Sequence, residues 1–126
     1  MVVAVVLALL AQGCRTATRG APGGLLGHAD IPLLVDNHAS GDLVVYVQHD
    51  GVVSRLERVD AAHATQLTIP GRFVGASGDL RLIGEPVGVR SGFADRLTSP
   101  VVNVLAGQSL VWTIESQFQR AVLEIR

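Results

Sequence analysis

The chain has 126 residues and a formal net charge of −1, from ten basic and eleven acidic side chains. A near-neutral chain lacks the basic excess of nucleic-acid-binding domains, and this length is typical of one domain. A single cysteine excludes an internal disulfide. We therefore expect one domain without a nucleic-acid partner.

The first segment is apolar and uncharged over residues 1–11 and is followed by Gln12, Gly13 and Cys14. At 1.5 Å per helical residue it would cover only about half of a ~30 Å hydrocarbon core. Its length and the small residues after it are instead typical of a secretory signal peptide. The sequence therefore predicts export, with a signal peptide at residues 1–13.

Residues 11–14, Ala-Gln-Gly-Cys, resemble the lipobox of small bacterial envelope lipoproteins. The resemblance implies that the leader is cleaved before Cys14 and that this cysteine carries the lipid. Several acyl chains together give stable anchoring, so the expected location is a membrane surface on the periplasmic or extracellular side. The alternative is a soluble secreted protein in which Cys14 is incidental or a small buried hydrophobe.

Residues 14–29 are rich in glycine and small residues and have no sustained period of 2 or 3.6. Such composition predicts a flexible tether between the lipidated Cys14 and a folded domain at residues 30–126.

Short apolar runs separated by turn residues follow at intervals of about ten, which is typical of a β-sandwich or small barrel. Asp50-Gly51 between two β-branched runs predicts a hairpin. A second hairpin is predicted around residues 106–108, with Trp112 on the core side of its second strand. The predicted strands are residues 33–35, 43–48, 52–59, 65–69, 79–83, 101–105, 109–115 and 121–126, with residues 87–89 as an optional short strand.

This pattern predicts an all-β fold, an antiparallel two-layer β-sandwich of about seven or eight strands, immunoglobulin-like or transthyretin-like. The Cys-Trp-Cys landmark of antibody domains is absent, so "immunoglobulin-like" describes architecture only. The final strand is predicted to be inserted in a sheet, because its loss would expose an edge and part of the core.

No catalytic signature is found in the sequence, and we expect neither an enzyme nor a cofactor. The serines include no Gly-x-Ser-x-Gly elbow. The four histidines have spacings that match no familiar ligand pattern, so no metal site is predicted; they are His28, His38, His49 and His63.

The glycine-rich segment 84–97 is the least regular part of the predicted domain. An exposed Phe93, with Arg90 and Arg96, is the predicted interaction surface, and the edge of a strand at residues 33–35 is a second option. Tyr46 is expected to fill the core. The expected function is a non-enzymatic, lipid-anchored envelope protein that binds another envelope protein. The alternatives are an extracellular glycan-binding module, if aromatic side chains cluster at the surface, and a periplasmic metal-handling protein, if the histidines converge.

Overall fold

The computed structural model describes residues 28–88, 96–116, 118 and 120–126. The predicted signal peptide, Cys14 and nearly all of the predicted tether lie outside these residues. Within them, no helix has the length and apolar character needed to cross a membrane.

The described residues form nine β-strands and one short 3-10 turn at Gly71–Phe73. The strands are β1 (Ile31–Asn37), β2 (Leu43–His49), β3 (Val52–Val59), β4 (His63–Ile69), β5 (Asp79–Pro86), β6 (Leu97–Thr98), β7 (Val102–Asn103), β8 (Leu110–Ile114) and β9 (Ala121–Ile125). The prediction of an all-β fold is confirmed. The number of strands exceeds the prediction because β6, a pairing segment of two residues, has no predicted counterpart, whereas β7 lies within the strand predicted at residues 101–105.

The strands form two sheets. One sheet has the order β4-β1-β8-β9, and the other has the order β3-β2-β5-β6, with β7 also pairing with β5. All the pairs are antiparallel except β1 with β8, which run parallel. The expectation of a purely antiparallel fold is therefore wrong at this one pair, and the arrangement is rich in antiparallel pairs and consistent with a β-sandwich.

A single apolar cluster joins the two sheets. Because side chains alternate across a strand, every second residue of each central strand enters this core. The most deeply buried are Leu33, Val35, Leu43, Val45, Val47, Leu82, Leu110, Trp112 and Ile114. The predicted core position of Trp112 in β8 is confirmed.

The hairpin predicted around Asp50-Gly51 is confirmed. Strands β2 and β3 pair antiparallel on either side of it, and both turn residues have positive φ, 47° at Asp50 and 76° at Gly51. A two-residue turn of this kind matches the twist of the flanking strands, which is why the sequence signal is reliable.

The second predicted hairpin is wrong. Residues 106–108 do form a turn, in which the Gln108 amide donates a hydrogen bond to the Leu105 carbonyl (3.1 Å). The strands on either side belong to different sheets, since β7 pairs with β5 whereas β8 pairs with β1 and β9. Turn residues specify a local reversal of the backbone, and the sandwich uses this one to pass from one sheet to the other.

The final strand, β9, is an edge strand and is not inserted in its sheet. Within the part of the chain that the structure describes, β9 pairs with β8 alone. Ile125 is 41% exposed at this edge. Alternation shows which residues share a face, but it does not show how many neighbours a strand has.

Candidate functional site

The outer face of the β3-β2-β5 sheet carries an aromatic side chain that was expected in the core. Leu43, Val45 and Val47 are buried, so the alternation of β2 places Tyr46 on the opposite face, where it is half-buried. There it lies between Arg55 of β3 and Ile83 of β5 in the sheet register. The prediction that Tyr46 fills the core is therefore wrong.

Tyr46 forms part of a shallow groove of about 90 Å³ on this outer face. We call this surface the Tyr46 face, and its residues are Tyr46, Val53, Ile83, Glu85 and Arg96. Val53 is 52% exposed, so the apolar part of the surface is open to solvent. At its border, Arg96 Nη2 lies 3.3 Å from Glu85 Oε2. The face combines an apolar centre with a charged border, which is the usual layout of a protein-binding surface.

The predicted interaction residues reach this face in part. Arg96 is exposed and lies on it, whereas Arg90 and Phe93 lie outside the described residues. The second predicted option, an edge at residues 33–35, is wrong, because β1 lies inside its sheet between β4 and β8.

Strand β3, next to the Tyr46 face, is an open edge. Among the described residues it pairs with β2 on one side only. It is eight residues long, and Val52 and Val53 are both 52% exposed. A register shift opposite Val45 and Tyr46 leaves Leu56 as an extra residue, a bulge of the kind often found on edge strands. The unpaired backbone groups of such an edge can accept an added strand.

A second concave surface, which we call the Arg81 cleft, lies at the end of the same sheet. It has a volume of about 320 Å³ and is lined by residues 48–51, Ser77, residues 79–81 and Val101. The cleft is therefore formed by three segments: the β2–β3 turn, the start of β5 and the segment before β7.

The acidic side chains of the Arg81 cleft are occupied by local donors. Asp79 accepts hydrogen bonds from Ser77 Oγ (3.0 Å) and Asn103 Nδ2 (2.9 Å). The bond from Asn103, and then that from Ser77, hold the pKa of Asp79 below its usual value of 3.8. The Asp50 carboxylate accepts a hydrogen bond from the Ala76 amide (3.3 Å). Both acids thus close the turn between residues 75 and 79.

Two buried nitrogens at the Arg81 cleft, His49 Nδ1 and Arg81 Nε, make no hydrogen bond among the described residues, although His49 Nδ1 lies 3.8 Å from Asp50 Oδ2. The His49 ring stacks on Phe73, with the ring centroids 6.1 Å apart and the planes 23° apart. The guanidinium of Arg72 lies over the Phe73 ring, with its Cζ atom 4.7 Å from the ring centroid. The stack fixes the position of the His49 ring beside the cleft.

The described histidines are dispersed. His38 pairs with Asp36 (2.8 Å), His63 Nδ1 donates to the Ala61 carbonyl (2.7 Å), and His49 stacks on Phe73. Over residues 28–88, 96–116, 118 and 120–126, no three His, Cys, Asp or Glu side chains are placed to hold a metal ion.

The described aromatic side chains do not form a surface cluster. Trp112 is fully buried, and Phe73 and Phe118 pack against the core. Tyr46 is thus the described aromatic residue that lies on an outer sheet face. Among the described residues there is therefore no group of exposed rings of the kind that the glycan-binding alternative needs, and Phe93 lies outside these residues.

Sequence reasoning did not identify the Arg81 cleft. The alternation Leu80-Arg81-Leu82 places Arg81 on the outer face. However, the cleft arises only where β5 meets the β2–β3 turn and Val101, and these contacts between distant segments have no local signal.

No protein-family model matches this sequence, and no curated protein is similar to it.

Proposed function

We propose that this protein is a non-enzymatic, lipid-anchored envelope protein that binds another protein through the Tyr46 face and the adjoining edge of β3. The observation that carries this proposal is the exposed apolar surface at Val53, which lies on the edge strand β3 and beside Tyr46 and Ile83. Exposed apolar residues on an open edge favour aggregation unless a partner or a charge covers them. We expect the partner to add an extended segment to β3 and to place its side chains in the groove.

The proposed anchor is a lipid on Cys14. Its support is the sequence of residues 1–14, an apolar leader of signal-peptide length followed by a lipobox-like tetrapeptide. The tether at residues 14–29 would hold the folded domain away from the bilayer, so that the Tyr46 face can meet its partner.

Replacing the cysteine, Cys14→Ser, is expected to move the protein from the membrane fraction to the soluble fraction, because serine cannot carry the thioether-linked lipid. The measurement is immunoblotting of both fractions from cells that express the full chain. The control is Ser40→Ala, an exposed change in the β1–β2 loop, which should leave the distribution unchanged. Membrane association of Cys14→Ser equal to that of the unaltered protein would contradict the anchor.

The sandwich itself is proposed to be transthyretin-like. In constant-type immunoglobulin domains the first two strands share one sheet, whereas β1 and β2 lie in different sheets here. This difference favours the transthyretin-like alternative.

The docking proposal is tested by a charge placed on the apolar centre of the face. Val53→Lys should lower partner binding at least about tenfold, which corresponds to about 1.4 kcal/mol. The reason is that the lysine ammonium must lose its water when the groove is covered. The measurement places a photoreactive amino acid at position 55 of β3 and crosslinks the protein to its partner in living cells. The amount of crosslinked adduct is compared between the unaltered protein and the Val53→Lys variant.

The matched control is Val122→Lys. Val122 is 51% exposed and belongs to β9 of the other sheet, so the two variants introduce the same charge at equally exposed valines. Adducts of equal yield in the two variants would contradict the proposed surface, as would efficient crosslinking from position 122 with none from position 55.

A further inference from the structure

We propose that the Arg81 cleft is a binding site for a ligand that carries a single carboxylate on a small or peptide body. This inference concerns a different surface from the Tyr46 face and does not rest on the proposed function.

The first observation is the isolation of the Arg81 guanidinium. Among the described residues no carboxylate lies within ion-pair distance of it, and its buried Nε has no acceptor. A buried donor without an acceptor costs free energy, and a charged one costs more. The Nη groups of Arg81 are not among the buried unpaired atoms, so a ligand carboxylate can pair with the guanidinium through them and offset part of this cost, because the planar guanidinium donates parallel hydrogen bonds to the two oxygens of a carboxylate.

The second observation is a neutral donor next to Arg81. Gln48 of β2 lies directly opposite Arg81 of β5, and both side chains project from the outer face of the sheet. The Gln48 amide has no hydrogen-bond partner among the described residues. Its NH₂ group can therefore serve a carboxylate that Arg81 holds.

The charges around the cleft select the class of anion. Asp50 and Asp79 line the cleft together with Arg81. Two carboxylates that line the same cleft would repel a dianion such as hydrogen phosphate more strongly than a monocarboxylate. The neighbouring acids therefore disfavour a dianion more than they disfavour a ligand with one negative charge.

The size and apolar lining of the cleft limit the rest of the ligand. A volume of about 320 Å³ lies at the lower end of the range of about 300–1,000 Å³ for small-molecule pockets. Val101, which is 55% exposed, offers an apolar contact on one side. A short aliphatic acid and the terminal residue of a peptide both fit this description.

The test is a titration of the detergent-solubilised full chain with each probe. Binding is measured by calorimetry and by the shift of the NMR signal of Arg81 Nε–H. Four probes are compared: N-acetylvaline, its primary amide, the peptide acetyl-Gly-Gly-Val with a free carboxylate, and inorganic phosphate. We expect N-acetylvaline or the peptide to bind at least about tenfold more tightly than the amide and phosphate, and to shift the Arg81 signal. Binding of the acid alone would identify a small-molecule ligand, and binding of the peptide would identify a chain terminus.

The variants locate the site. Arg81→Gln should weaken binding at least about tenfold. Arg81→Lys should also weaken binding, because lysine keeps the positive charge but cannot donate two parallel hydrogen bonds to a carboxylate. The matched control is Arg120→Gln, an exposed arginine in the turn before β9, which should leave the affinity unchanged. Should Arg81→Gln not fold, Arg81→Lys and the NMR shift still decide the question. Equal affinity for N-acetylvaline and its amide, tighter binding of phosphate, absence of saturable binding, or the same loss in Arg120→Gln would overturn the proposal.

Discussion

Replacing Trp112 with alanine is expected to lower the free energy of unfolding by about 3–5 kcal/mol, the usual range for truncating a buried aromatic residue. Trp112 is fully buried in the middle of β8, and it is the largest side chain of the core. It packs so closely on β5 that a Cβ atom at Gly84 would lie only 3.0 Å from Trp112 Cη2. The alanine variant therefore leaves a cavity between the two sheets.

The measurement is urea denaturation followed by circular dichroism, because Trp112 is the single tryptophan and its fluorescence is lost in the variant. Trp112→Phe should cost clearly less than Trp112→Ala. The phenyl ring fills much of the space, and Trp112 Nε1, which is buried without a hydrogen-bond partner among the described residues, is removed.

The control for Trp112 is Val122→Ala on the exposed face of β9, which should change the stability by less than about 0.5 kcal/mol. A cost for Trp112→Ala as small as that of Val122→Ala would show that Trp112 does not lie between the sheets. Should Trp112→Ala fail to fold, the cost of Trp112→Phe relative to Val122→Ala provides the same test.

The second large effect is expected at Asn37, where Asn37→Ala should cost about 2–4 kcal/mol. Asn37 is 1% exposed at the end of β1, and its amide makes three hydrogen bonds. Its Oδ1 accepts from the Ala39 amide (3.0 Å), and its Nδ2 donates to the carbonyls of Gly41 (3.0 Å) and Asp60 (3.2 Å). The side chain thus ties the β1–β2 loop to the turn after β3, and alanine would leave the buried Ala39 amide and two partly buried carbonyls without this partner.

The matched variant is Asn103→Ala. Asn103 also bonds a carbonyl and a carboxylate, those of Ser77 and Asp79, but it is exposed, so water replaces these partners when it is removed. We expect a cost of about 1 kcal/mol or less for Asn103→Ala in the same urea experiment. An equal loss in the free energy of unfolding at the two positions would show that the burial of Asn37 does not increase its contribution to stability.

Features specified by neighbouring residues could be predicted from the sequence. The β2–β3 hairpin depends on Asp50 and Gly51 accepting positive φ, which is a property of these two residues. The inward set of β8 depends only on alternation around Trp112. Because alternation and turn residues are local features of the sequence, the all-β fold with two sheets could be predicted from the sequence alone.

Features that depend on which strands meet could not be predicted. The sequence pattern of β8 is the same whether its neighbour is β7 or β1, so the parallel pairing with β1 was missed. Asparagine is a residue type that is common in turns, yet Asn37 is the buried last residue of β1. The Tyr46 face and the Arg81 cleft likewise require the register between β2 and β5, which no local pattern contains.

The central claim is that a partner protein covers the open edge of β3, and hydrogen exchange in the complex tests it most directly. With the crosslinked partner identified and purified, amide exchange of the full chain is measured with and without it. Strand addition should slow exchange at the amides of β3 that face away from β2, while the amides of β4, an edge of the other sheet, exchange as before. Unchanged exchange in β3, or slowing confined to β4 or β9, would contradict the account.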